Sequence, residues 1–226
     1  MIRVILVRHC ETELSNEKRY SGSVDVPLND AGRKHAESLA EHLEKADIKK
    51  IYCSGLKRAY ETADIISRPH RLEVDVVQGL NEADFGGWEG LTFDEVLLKD
   101  KEKAQEYLRN PSGFRFPGGE GLLQLNERVL RAMDLILKKH LNPSNETVLV
   151  VSHGGSNRVI LGKALNLSLE DQFRLRQDNG CINVVDFFEE TTVVSLINYT
   201  PGVAILNPGK CVKSCEKCAK EKCYSF

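Results

Sequence analysis

The chain has 226 residues, 41% of them apolar, and its 31 Lys and Arg against 33 Asp and Glu leave a formal net charge of −2. That length and apolar fraction suit one sizeable α/β domain, and the near-neutral balance makes no electrostatic case for nucleic acid or an anionic membrane surface. No apolar run approaches the roughly 20 residues of a membrane-crossing helix, and the N-terminal apolar stretch is too short for a signal peptide, so the sequence reads as a soluble cytoplasmic protein.

Residues 2–7, IRVILV, form a β-branched apolar run of the kind that suits a parallel strand buried on both faces. Asn29 follows as a helix cap, with Ala36, Leu39, Ala40 and Leu43 at helical spacing behind it. IYC at 51–53 predicts a second strand, then Ser54 and a helix to about residue 67. LEVDVV (72–77) alternates as a strand does, and LNEADFGGWEG (80–90) is a Gly-rich loop. A charged helix is expected over 92–109, a Pro/Gly loop over 110–121 and an amphipathic helix to His140. TVLVVS (147–152) is a further buried strand, with SHGG and a helix beyond it, and CINVVDFF and TVVSLIN predict a closing hairpin. Strands alternating with helices imply a mostly parallel sheet covered on both faces.

In such a sheet ligands bind beyond the carboxyl ends of the strands. The first strand delivers Arg8, His9 and Cys10 there; the second delivers Ser54, with Arg58 a turn later; the strand at 147–152 delivers His153. Arg58 gains nothing from a helix dipole at that end unless a phosphate binds there too. The two glycines after His153 permit close backbone approach to a ligand. Glu82 sits among Gly and aromatic residues, a partly buried setting that suits a general acid. Taken singly, each of these residues has an ordinary structural or surface reading. Trp88 reads as packing, and His35, His42, His70 and His140 as solvated positions.

Six segments together are similar to the histidine phosphatase superfamily, the phosphoglycerate mutase-like proteins: RHCET (8–12), GSVDVPLNDAG (22–32), SGLKRAYETA (54–63), LNEADFGGWEG (80–90), PGGE (117–120) and VSHGG (151–155). The resemblance covers about residues 2–199. It implies a three-layer α/β/α sandwich whose mostly parallel sheet has an antiparallel edge. It also implies His9 as a nucleophile that becomes a phosphohistidine, Arg8, Arg58 and His153 around the phosphoryl group, and Glu82 as general acid and base. No catalytic metal or other cofactor is expected, and the expected partner is a small phosphorylated substrate, with no nucleic acid or membrane involved.

The juxtaposition of His9 and Cys10 also invites a cysteine-phosphatase reading. Those enzymes resemble H-C-x5-R, and here the Arg position holds Asn16, so the spacing fails and His9 is preferred. Cys10 replaces a common family Gly, and Ser15 stands where an Asn often contacts phosphate; Ser15 is carried over as a phosphate contact on that basis. Mutases resemble one another in an Arg and a Tyr-Gly step after the catalytic Glu, whereas this chain has Ala83-Asp84-Phe85-Gly86, the phosphatase form. The stretch RYSGSVDVPLNDAG is similar to α-ribazole-5′-phosphate phosphatases of cobalamin synthesis. Broad-specificity and sugar-phosphate phosphatases and phosphoglycerate mutases are the alternatives, and a non-catalytic phosphate-binding or redox- or metal-sensing module is the alternative of another class.

The domain is expected to span 1–208, with 92–121 as a substrate lid in which Arg115 reads as a surface charge or as a contact to a second anionic group. Residues 209–226 form a Cys/Lys-rich tail. Its Cys211, Cys215, Cys218 and Cys223 follow a C-x3-C-x2-C-x4-C spacing that would suit zinc or an iron–sulfur cluster, or else an exposed redox-prone segment.

Overall fold

The computed structural model describes residues 1–140 and 145–201. The expected tail, with its four cysteines, and the boundary drawn at 208 lie outside the described residues.

The elements run β1 (Ile2–Arg8), α1 (Glu13–Asn16), α2 (Asp30–Leu43), β2 (Ile48–Cys53), α3 (Lys57–His70), β3 (Val74–Val76), α4 (Phe93–Lys99), α5 (Lys101–Arg109), α6 (Leu122–Lys139), β4 (Glu146–Ser152), α7 (Gly154–Ala164), β5 (Ile182–Phe187) and β6 (Thr192–Tyr199). The sheet order is β3-β2-β4-β1-β5-β6. The first four of these strands are parallel, and β5 and β6 add the antiparallel edge. The fold is the α/β/α sandwich the sequence implies.

Alternation along the central strands builds both cores. Val4, Leu6, Val148 and Val150 face α6 and α7, whereas Ile5, Val7, Leu149 and Val151 face α2 and α3. Strands buried on both faces explain the unbroken apolar runs of β1 and β4. Asn29 caps α2 by accepting from Gly32 N at 2.7 Å, and Ala36, Leu39, Ala40 and Leu43 are its buried stripe.

Some boundaries differ from the expected ones. The helix over 92–109 is two helices, because Asp100 adopts φ −150° and caps α5 from there through Lys103 N. The strand expected over 72–77 pairs only at Val74–Val76. Three of the histidines expected to be solvated are at least half-buried. His140 lies between Tyr52 Oη (2.9 Å) and Glu146 Oε2 (2.7 Å), and His35 and His70 are partly covered. Trp88 is packing, as expected: it contacts Tyr20, Tyr107, Phe114 and Phe116 in an aromatic cluster that seats α5 and the loop after it.

Candidate active site

Because β2, β4 and β1 are neighbours in the sheet, Ser54, His153 and His9 leave three adjacent parallel strand ends. The ladder continues one residue past β1 and β2: His9 N donates to Ser152 O (2.9 Å) and Ser54 N to Val151 O (3.0 Å). These side chains are therefore held by sheet geometry rather than by a loop. The His9 and His153 rings lie 5.1 Å apart and both are buried.

Their hydrogen bonds assign the His9 tautomer. His9 Nδ1 lies 2.7 Å from Cys10 O. A carbonyl only accepts, so Nδ1 carries the proton and Nε2 keeps its lone pair. Burial, with the guanidiniums of Arg58 and Arg8, holds the imidazole well below the usual histidine range, so it is neutral near pH 7. His153 is held low by burial and then by Arg58, His9 and Arg8. Its Nε2 meets Ser54 Oγ at 2.6 Å, and its buried Nδ1 has no hydrogen-bond partner among the described residues.

Both expected arginines reach this cluster. Arg8 Nη1 donates to Gln177 O at 2.6 Å. Arg58, fully buried in the first turn of α3, donates through Nη1 to Val24 O (2.8 Å) and through Nη2 to Ser21 O (3.0 Å) and Gly22 O (2.8 Å). It thereby pins the 21–24 loop over the site. Burial pulls its pKa down to about 10, which leaves it charged at neutral pH. Arg8 Nε and Arg58 Nε are buried donors with no partner among the described residues. Orphaned buried donors are costly, and an anion with several acceptor oxygens would satisfy them together with His153 Nδ1.

Glu82 enters from the loop after β3. Its Oε2 accepts from Gly155 N (2.9 Å) at the start of α7, and its Oε1 accepts from Ala83 N (3.0 Å). Gly155 is required here, because a Cβ would collide with Glu82 Oε1. Beyond Glu82 opens a cavity of about 480 Å³ whose polar lining includes Gln78, Asn81, Asp84, Arg115, Gln124 and Arg128. Leu56 is its one bulky apolar wall among the described residues. From the segment expected to be a lid, only the loop at 115–120 reaches this cavity; α4 and α5 pack on Trp88 instead.

Ser15 and Cys10, the two departures from the family pattern, make contacts of their own. The Ser15 hydroxyl donates to Thr12 O (3.0 Å) and accepts from Thr12 N (2.9 Å), closing the capping box of α1. Cys10 has no left-handed backbone, so its side chain is accommodated without strain. It is buried in the α2–α3 core, where burial pushes the thiol up to about 12. A thiol that does not ionise is not a nucleophile at neutral pH.

Sequence reasoning missed Arg158, Arg128 and Glu120. Arg158 is nearly buried one turn into α7, with Nε donating to Leu175 O (2.8 Å), and it adds positive charge beside Arg8. Its signal was available, since α7 is buried all round and a lone Arg in such a helix needs a reason. Among the described residues no group of three or more His, Cys, Asp or Glu is arranged to hold a metal.

Fold and site together define a phosphoglycerate mutase-like phosphatase: an α/β sandwich with two guanidiniums and two neutral imidazoles at the carboxyl edge of its sheet. The chain belongs to the histidine phosphatase superfamily (branch 1), whose family signature matches residues 4–200. It is 34% identical over 200 residues to phosphoserine phosphatase 1 of Hydrogenobacter thermophilus, covering 88% of this chain and 93% of that protein. Among solved structures, the α-ribazole phosphatase from Shigella flexneri superposes with a TM-score of 0.80 at 27% identity, over 89% of this chain and 99% of that one. A variant of the phosphoserine phosphatase from Entamoeba histolytica, solved with phosphoserine, gives 0.79 at 26% identity, over 90% and 100%.

Proposed function

We propose that this phosphatase hydrolyses a small, polar phosphomonoester through a phosphohistidine at His9. One observation carries the reading: His9 is neutral, its Nδ1 proton is committed to Cys10 O, which leaves the Nε2 lone pair free, and the imidazole stands in the field of Arg8 and Arg58, whose Nε donors are unpartnered among the described residues. Nε2 attacks phosphorus while Arg8, Arg58 and His153 hold the non-bridging oxygens, which suits a reaction governed by positioning and charge neutralisation. The bond from phosphorus to the ester oxygen breaks, and Glu82 gives that oxygen its proton. Water then attacks the phosphohistidine, Glu82 takes the water proton, the P–N bond breaks, and phosphate leaves with His9 restored. The positive charge for these steps comes from arginine, so neither a metal nor another cofactor is needed.

The cavity beyond Glu82 favours a leaving group that is polar and carries both signs of charge. Asp84 and Arg115 on its wall offer charges complementary to an amino acid's ammonium and carboxylate. Phosphoserine fits these features better than α-ribazole-5′-phosphate, although the Shigella relative supports the latter.

The test is kcat/KM for both esters with chelator present, alongside acid quenching to trap labelled protein. Phosphoserine is expected to lead by at least about tenfold, the worth of one or two well-placed polar contacts. His9→Ala is expected to abolish both turnover and trapping. Preference for α-ribazole-5′-phosphate would overturn the substrate assignment, and trapping that survives His9→Ala would overturn the mechanism.

A further inference from the structure

Arg128, in the middle of α6, divides its donors between the loop that carries Glu82 and the carboxylate of Glu120. Nη1 donates to Gly79 O (3.1 Å) and Asn81 O (2.9 Å), and Nη2 donates to Glu82 O (3.2 Å). The remaining two bonds go to Glu120, from Nε to Oε1 (2.9 Å) and from Nη2 to Oε2 (2.7 Å). A guanidinium has five N–H groups, and all five are engaged. Glu120 completes the grip from the other side: its N donates to Asp84 O (2.8 Å), and its Oε2 accepts from Asp84 N (3.3 Å). Ser152 Oγ and Ser156 Oγ hold the two intervening carbonyls, of Leu80 and Asn81, at 3.0 and 2.8 Å.

We propose that the Arg128–Glu120 pair is a positioning device for Glu82, aligning its carboxyl with the leaving-group oxygen. This rests on the role given to Glu82 above. Arg128 lines the cavity, but with no N–H to spare it is not a substrate ligand. The stretch 79–84 runs between β3 and the aromatic cluster without strand pairing of its own, so these side-chain bonds fix where Glu82 leaves the backbone. A bidentate, partly buried Arg–carboxylate pair is among the stronger and more directional ways to do so.

The test exploits leaving groups. An ester of a nitrophenol departs without a proton, whereas an alkyl ester such as phosphoserine needs one. We compare kcat/KM on the two for Glu82→Gln, Arg128→Lys, Glu120→Gln and the double variant Glu82→Gln/Glu120→Gln. Lys cannot reproduce the fork, and Glu120→Gln is the milder change should Arg128→Lys fold poorly. A shift of about 1 Å costs on the order of 10²-fold, so Arg128→Lys and Glu120→Gln are expected to lose roughly that on the alkyl ester and less than about threefold on the nitrophenyl ester. The double variant is expected to be no worse than Glu82→Gln. Equal losses on both esters, or additive losses in the double variant, would make the pair merely structural and overturn the proposal. No leaving-group dependence in Glu82→Gln itself would overturn the general-acid reading, and the proposal with it.

Discussion

Cys10 and His9 are adjacent in the chain yet belong to different environments. The thiol sits in the α2–α3 core, where burial pushes it up to about 12, while the imidazole joins the guanidiniums. Cys10→Ser is therefore expected to keep phosphate release while losing about 1–3 kcal/mol of stability, the cost of a hydroxyl in an apolar site. Urea unfolding beside an activity assay checks this, and a folded but inactive variant would place the thiol in the chemistry. The two buried histidines also set a pH dependence. Their folded pKa values lie well below 6.5, so below about pH 6.5 the unfolded chain binds protons that the folded chain does not. Stability should fall as pH drops through that window, by up to about 1.4 kcal/mol per pH unit for each group. His9→Asn should flatten the slope; an unchanged slope would mean that His9 titrates normally when folded. At this scale the sequence was informative for strand-end residues, whose positions follow from strand register. It was misleading for His140, because a helix-terminal histidine looks solvated until Tyr52 and Glu146 close on it.

At the scale of elements, α7 shows how packing constrains chemistry. All of Gly154–Gly162 is buried, and the helix begins where Glu82 docks. Gly155→Ala adds a better helix former, worth up to about 1 kcal/mol, but its Cβ takes the space of the Glu82 carboxylate. The carboxylate is the flexible end of a side chain, so the variant is expected to fold with near-native thermal stability. Its kcat should fall roughly 10²-fold, as a displaced acid would. Unimpaired turnover would show that Glu82 works from another position. Element boundaries were less legible than element types. The division at Asp100 follows from one residue whose side chain can cap a new helix as easily as continue the old one. β3 pairs with Ile51–Cys53, the second half of β2, although the alternation in the sequence runs longer.

For the whole molecule, the orphaned donors would tie the layers to one anion. Arg8 comes from β1, Arg58 from α3 on one face, and His153 from the β4–α7 junction that opens the other. Inorganic phosphate should thus stabilise the entire domain by mass action, by about 2.7 kcal/mol at a hundredfold excess over Kd. A rise in Tm that is lost in Arg58→Met checks this; equal shifts in both proteins would place the anion elsewhere. The sequence by itself determined the alternation of strands and helices and the two-faced burial of β1 and β4, because periodicity is written in neighbouring residues; strand ends pointed to Arg8, His9, Arg58 and His153, and the family resemblance joined Glu82 to them. Only the tertiary structure decided that Cys10 turns into the core, that Ser15 caps a helix, and that Arg128 and Glu120 grip the Glu82 loop. Those outcomes depend on hydrogen-bond partners and buried space contributed by segments tens of residues apart, which no local pattern specifies.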